Sequence, residues 1–194
     1  MLIFYSDIKR MPVMSLQTGT KLGAAHTPII DPSTLTIIAF FIDGAKLESN
    51  GSVILMSNDI REVGKMGFII DSIDDLTTLE DIIRIQKIAD LNFDVVGLSV
   101  IDEQKNKLGK VINYTLDPLT FTIHQLQLKP PILKSLQTTG GQISRQQIIE
   151  INNSHIIVRS ATNKEFTKER ITSGQFVNPF RTPQPKSQSD TTNS

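Results

Sequence analysis

Apolar residues along the chain fall into short runs separated by turn signals, a pattern that favours strands over helices. The clearest runs are Ala25 to Ile30 with Leu35 to Ile42, and Val111 to Leu116 with Phe121 to Leu128. Between the members of each pair stand Asp31-Pro32-Ser33-Thr34 and Asp117-Pro118-Leu119-Thr120. Proline presets φ at the second turn position, and the aspartate carboxylate accepts from N–H groups just beyond it. Each pair therefore predicts a hairpin closed by a D-P-x-T turn. In the last run Phe121, Ile123, Leu126 and Leu128 are apolar, and Gln125 slips the alternation. Gly23 and Gly109 stand where strand patterns begin, as glycine does where a strand bends, bulges or passes close to another backbone. A hairpin alone is not stable in water, so further short strands must close around it.

The two hairpins belong to a repeat. Lys21 to Ile37 and Lys107 to Ile123 share eight of 17 positions without a gap, at an offset of 86 residues. A weaker match sets Ile60 to Asp71 against Ile148 to Arg159 at an offset of 88. So long a period is outside the range of solenoids and propellers and reads as two copies of one small domain. Between the copies, Leu79, Ile82, Ile83, Ile85, Ile88 and Ala89 recur at helical spacing. Thr77 and Thr78 with Glu80 and Asp81 resemble a capping box, and Asn92 marks a stop. This predicts one connecting helix packed across the copies. The expected layout is a first barrel-like domain over 13–75, a connecting helix in 76–93, a second domain over 94–160 and a tail over 161–194. The tail ends PQPKSQSDTTNS and cannot offset its own ordering entropy, so it is expected to be disordered.

Composition strengthens the strand reading, since Ile occurs 27 times and Ala 6 times in 194 residues. Branching at Cβ suits a pleated sheet better than a helix. The absence of cysteine removes disulfides, thiolate nucleophiles and cysteine-based metal sites, and it suits a reducing cytoplasm. The longest apolar run, Leu35 to Ile42, falls short of the ~18–20 residues that a membrane helix needs. Asp7, Lys9, Arg10 and Pro12 leave Met1 to Met14 without a signal-peptide core. A cytoplasmic protein is expected.

The residues above resemble the PRC-barrel family. The shared pattern is a strand ending L-x-T-G (Leu16, Thr18, Gly19), a K-L-G start, a D-P-x-T turn and an isoleucine-rich return strand. The second copy opens similarly, from Val96 to Asp102 and then Lys107-Leu108-Gly109. The resemblance spans roughly residues 13 to 160 as a tandem pair and implies two small, partly open β-barrels. Relatives of this kind include the cytoplasmic domain of the photosynthetic reaction-centre H subunit and the C-terminal domain of a ribosome-maturation factor. Both serve as adaptors, and the family has no shared catalytic motif. The resemblance implies a partner that is a protein or a ribonucleoprotein, in a ribosomal or RNA-processing setting.

His26, His124 and His155 fall opposite Ile112, Ile38 and Gly67 in the repeat, positions that suit strand side chains better than metal ligands. The acidic run Asp71, Asp74, Asp75, Glu80 and Asp81 lacks the central glycine of a calcium loop. Gly140-Gly141 belongs to no phosphate-binding motif. No catalytic, cofactor or metal residue is assigned, and a non-enzymatic function is expected. Charge is more informative. Residues 1 to 104 carry 8 basic and 15 acidic side chains, and residues 105 to 194 carry 12 and 5, so a net charge of zero hides a bipolar chain. Lys105, Lys107, Lys110, Lys129, Lys134, Arg145 and Arg159 form a candidate contact surface for an acidic protein or RNA. The bland alternative is that the copies attract each other or that the charges only solvate opposite ends. Two other functions stay open. One is an enzyme or small-ligand binder using a groove between the barrels; the other is a homo-oligomer paired through free strand edges.

Overall fold

The computed structural model describes residues 1–45, 51–131 and 141–159. Lys134 and the predicted disordered tail lie outside them. Strands form where the β-branched runs stand: β1 (Ile3–Phe4), β2 (Pro12–Ser15), β3 (Lys21–Asp31), β4 (Thr36–Asp43), β5 (Val53–Met56), β6 (Glu62–Gly64) and β7 (Gly67–Ile70). They continue with β8 (Leu76–Thr78), β9 (Ser99–Asp102), β10 (Lys107–Leu116), β11 (Ile123–Lys129), β12 (Gln142–Ser144), β13 (Ile148–Ile151) and β14 (His155–Val158). Two short helices, α1 (Tyr5–Ile8) and α2 (Ile83–Ala89), complete a mainly β structure.

The strands form two sheets that follow one path twice. The first runs β6-β7-β2-β3-β4-β5-β8 and the second β13-β14-β9-β10-β11-β12, with β1 added on β10. In each, one parallel pairing (β2 with β7, β9 with β14) sits among antiparallel ones. Among the described residues the outer strands of neither sheet pair with each other, so neither sheet is a closed barrel. Irregularities recur at equivalent places. The β3–β4 ladder passes over Ile38 between Ile29 and Ile30, and the β10–β11 ladder passes over His124 between Thr115 and Leu116. That bulge is the physical content of the phase slip at Gln125. Register also shifts beside Gly23 and Gly109. A Cβ on Gly23 would lie 2.8 Å from the Asp43 carbonyl oxygen, and one on Gly109 would overlap the equivalent carbonyl of Lys129.

The two D-P-x-T tips meet. Thr36 and Thr122 form an antiparallel bridge. The Ile37 N–H donates to the Phe121 carbonyl at 3.0 Å, and the Ile123 N–H donates to the Leu35 carbonyl at 2.8 Å. Leu35 and Phe121 are repeat equivalents, as are Ile37 and Ile123, so the contact is reciprocal about an approximate two-fold axis. Leu35 and Phe121 have φ of 49° and 53°. This left-handed conformation costs about 1–2 kcal/mol per residue for a side chain with a Cβ. Burial of both side chains in the shared core offsets that cost. The Phe121 ring lies 5.7 Å from Phe40 and 6.1 Å from Phe68, both on the first sheet. A single apolar cluster includes Val13, Phe40 and Phe68 together with Val100, Tyr114 and Leu126. Met1–Ser160 accordingly forms one compact unit.

The segment expected to be one helix over 76–93 divides into three parts. Leu76–Thr78 is the strand β8, with alternate residues buried, and pairs with β5. Thr78 does donate its hydroxyl to Asp81, but the turn that follows, Leu79–Asp81, is a 3-10 turn. Only Ile83–Ala89 is α-helical, and the chain turns away at Asn92, where φ is 47°. Seven helical residues span only about 10 Å, and the β8–β5 pairing holds them over the first sheet. Ile85 packs on Ile29, Ala39 and Ile54 of its outer face, so α2 does not cross between the copies. The N-terminal residues make the opposite excursion. Ile3 pairs with Leu116 on the second sheet, and Tyr5 stacks on Tyr114 at 4.7 Å.

Because Phe121 fills the first sheet's core from the second hairpin, Phe121→Ala should lower stability by about 3–5 kcal/mol. Denaturant unfolding of residues 1–160 should remain a single transition by circular dichroism and by tyrosine fluorescence. Two separated transitions would show that the halves do not share one core.

Candidate functional site

The two sheets differ most on their outer faces. On the first, Ile29, Ala39, Phe41 and Ile54 pack with α2. Their equivalents on the second are Thr115, Gln125, Gln127 and Gln142. Strand register arranges these in rows: Asn113 opposite Gln127 opposite Gln142, and Thr115 opposite Gln125 opposite Ser144. The side-chain amides of Gln125, Gln127 and Gln142 hydrogen-bond to no other described residue, whereas Asn113 is engaged by Ser6. Repeat alignment contained this signal, because each glutamine stands in a column that is apolar in the first copy. Polar residues in strands ordinarily mark a solvated face, so composition alone does not single them out.

The predicted basic residues come together in part. Lys110 is the direct cross-strand partner of Lys129, and Lys107 lies opposite Ile101 on the same outer face. A continuous row runs His155, Ser99, Lys110 and Lys129 across four strands. Lys105 sits in the adjoining β9–β10 turn with φ of 65°. Arg145 belongs instead to the 3-10 turn after β12, and Arg159 follows β14, its N–H donating to the Gln147 carbonyl. These six residues form none of the ion pairs among the described residues, which are His26–Asp43 at 3.4 Å and Arg61–Asp71.

Opposite charge appears at equivalent positions: Asp43 against Lys129 and Asp71 against Arg159. Asp43 and Lys129 each lie seven residues from the paired tips, about 23 Å along the strand. Among the described residues no ion pair joins them, and Asp43 pairs instead with His26. The acidic run of the first half is largely engaged in local capping. Asp75 accepts from the Asp71 and Ser72 N–H groups at 2.8 and 3.1 Å, and Glu80 accepts from Ser52 at 3.2 Å. Asp31 and Asp117 each accept at 2.9 Å from the N–H two residues on, holding the D-P-x-T turns as their sequence anticipates.

Tyr114 is fully buried, and its hydroxyl has no hydrogen-bond partner among the described residues. Burial first, then Tyr5 and Asp94, push its pKa far upward, and burial and Asp94 raise Tyr5. Such phenols stay protonated and are poor bases or nucleophiles at neutral pH. A cleft of about 120 Å³ lies between β3, β4 and the segment after α2, lined by Thr27, Phe41, Asn92 and Asp94 among others. It is small against the ~300–1,000 Å³ usual for a ligand pocket. His26, His124 and His155 stand on three different strands. Among the described residues no group of three His, Cys, Asp or Glu is placed to hold a metal ion, and no helix is long and apolar enough to cross a membrane. No family model and no curated protein matches the sequence. The outer face of the second sheet, with its lysine pair and glutamine rows, is the candidate site.

Two measurements bear on these groups. Like charges directly opposite in a sheet are unfavourable, so Lys129→Glu should raise stability by about 0.2–1 kcal/mol at low salt; a loss would show that Lys129 is already paired. Tyr114 keeps its proton in the folded chain above pH ~10, where the unfolded chain releases it. Stability should therefore fall as pH rises above 10, and Tyr114→Phe should flatten that decline. An unchanged slope would place the titration elsewhere.

Proposed function

We propose that the chain is a non-enzymatic adaptor built from two PRC-type, partly open barrels, and that its second half docks an acidic protein surface in the cytoplasm. One support for the barrel reading is a matter of reach. Strands β12 and β13 lie at opposite edges of the second sheet, yet only Arg145–Gln147 joins them. Three residues reach about 10 Å, whereas five strand spacings in a flat sheet measure about 24 Å. Such a sheet must curl until its edges approach.

The observation that carries the docking reading is the Lys110–Lys129 pair. Two lysines directly opposite in the ladder, with no ion pair to either among the described residues, disfavour the isolated fold and favour an incoming anionic surface. An acidic protein fits this face better than RNA does. The large aromatic side chains Phe40, Phe68, Phe121 and Tyr114 are buried in the core, leaving no platform of those rings for base stacking. Exposed Ile112 and half-buried Ile101 and Ile157 lie among the lysines, so a docked surface would bury apolar area beside the charges.

The test is affinity capture from nuclease-treated lysate with the wild-type chain and with the triple variant Lys107→Glu, Lys110→Glu, Lys129→Glu. An acidic protein should be retained by the wild type at physiological salt and lost both in the variant and at raised salt. Capture that needs nucleic acid, or that survives charge reversal, would overturn the reading.

A further inference from the structure

The repeat itself specifies the kind of element that this face receives. On the first sheet α2 lies across Ile29, Ala39 and Ile54, so that outer surface has the twist and bulge needed to seat a helix. The second sheet repeats the strand order, the position of the bulge and the cross-strand register of the three equivalent positions, Thr115, Gln125 and Gln142. Its chemistry differs, and β1 adds beside Thr115, which is already buried, so the part left open is half-buried Gln125 and Gln127 with exposed Gln142. We infer that the outer face of β10–β12 seats an α-helix of the partner, one carrying acidic side chains towards Lys110 and Lys129 and hydrogen-bonding side chains over the glutamines. This inference rests on the docking reading above.

The chemistry of the helix follows from what the face would lose on contact. Gln125, Gln127 and Lys129 alternate with buried Leu126 and Leu128, so all three project from one side of β11. An apolar helix laid across them would bury the amides without partners, so it is disfavoured. That argues against α2 of a second copy, whose Ile85 is in any case buried on its own sheet. Asp, Glu, Asn, Gln or Ser placed three and four residues apart on a helix would present acceptors and donors along one stripe. The carboxylates would meet the lysine pair at one border, and the amides would pair along the remainder.

The probes are two synthetic peptides of equal length and net charge. One is a 20-residue helix former with glutamate and glutamine along a single stripe; the other has the same residues reordered and interrupted by two prolines. Fluorescence anisotropy at low salt measures binding, and NMR follows the side-chain amides of Gln125, Gln127 and Gln142. The helical peptide should bind at least tenfold more tightly than the interrupted one and shift those amide signals. Gln125→Ala with Gln142→Ala should weaken it about fivefold, and Lys110→Glu with Lys129→Glu should abolish binding, with melting curves showing that both variants fold. Equal, lysine-dependent binding of the two peptides would overturn the helix inference and leave the docking reading standing. Failure of both peptides, while affinity capture still returns an acidic protein, would also overturn the helix inference alone. Concentration-dependent pairing of two chains through this face, seen by sedimentation, would assign it to self-association and overturn the inference.

Discussion

The fold depends on two backbone hydrogen bonds between hairpin tips. Ile37 donates to Phe121 and Ile123 donates to Leu35, which is possible only because each D-P-x-T turn ends on a residue with positive φ. That conformation swings the following strand back and sends the Leu35 or Phe121 side chain inward. Phe121 thereby enters the aromatic group of Phe40 and Phe68, and a core that neither curved sheet could fill alone becomes continuous. The exchange is reinforced at the chain's start, where β1 and α1 join the second sheet. The strained tips are tolerated because both halves bury apolar surface around them.

With the inner faces committed to one shared core, the outer faces were free to diverge. The first sheet uses its outer face for α2, which closes over Ile29, Ala39 and Ile54. The second carries Thr115, Gln125 and Gln142 at the same positions, with Lys110 and Lys129 further along the strands. Charge diverged in the same way, with Asp43 matched to Lys129 and Asp71 to Arg159 at the ends far from the tips. Asp43 and Asp71 pair within their own half, with His26 and Arg61, and not with their basic counterparts. The tip contact and the basic residues thus lie at opposite ends of the second hairpin.

Much of the first layer was legible from local chemistry. The D-P-x-T turns, the crowding at Gly23 and Gly109 and the bulge beside Gln125 all follow from neighbouring residues, and local rules read them. Three features depend on contacts distant in sequence. Leu76–Thr78 fits a helix start, but its pairing with β5 makes it a strand. Ile3–Phe4 is too short to register as a strand until β10 provides its partner. Lys110 and Lys129 stand nineteen residues apart, and only the register of β10 against β11 brings them side by side. The basic residues were therefore visible as a charge excess, while their separation into a face (Lys107, Lys110, Lys129), a turn (Lys105) and a corner (Arg145, Arg159) was not.

Native-state hydrogen exchange at the Ile37 and Ile123 amides tests the reciprocal tip contact most directly. Turn-adjacent amides in separate hairpins would exchange quickly and independently. The account predicts that both are among the slowest in the chain, with equal protection close to the global unfolding free energy. Fast exchange at either amide, or protection at one without the other, would contradict it.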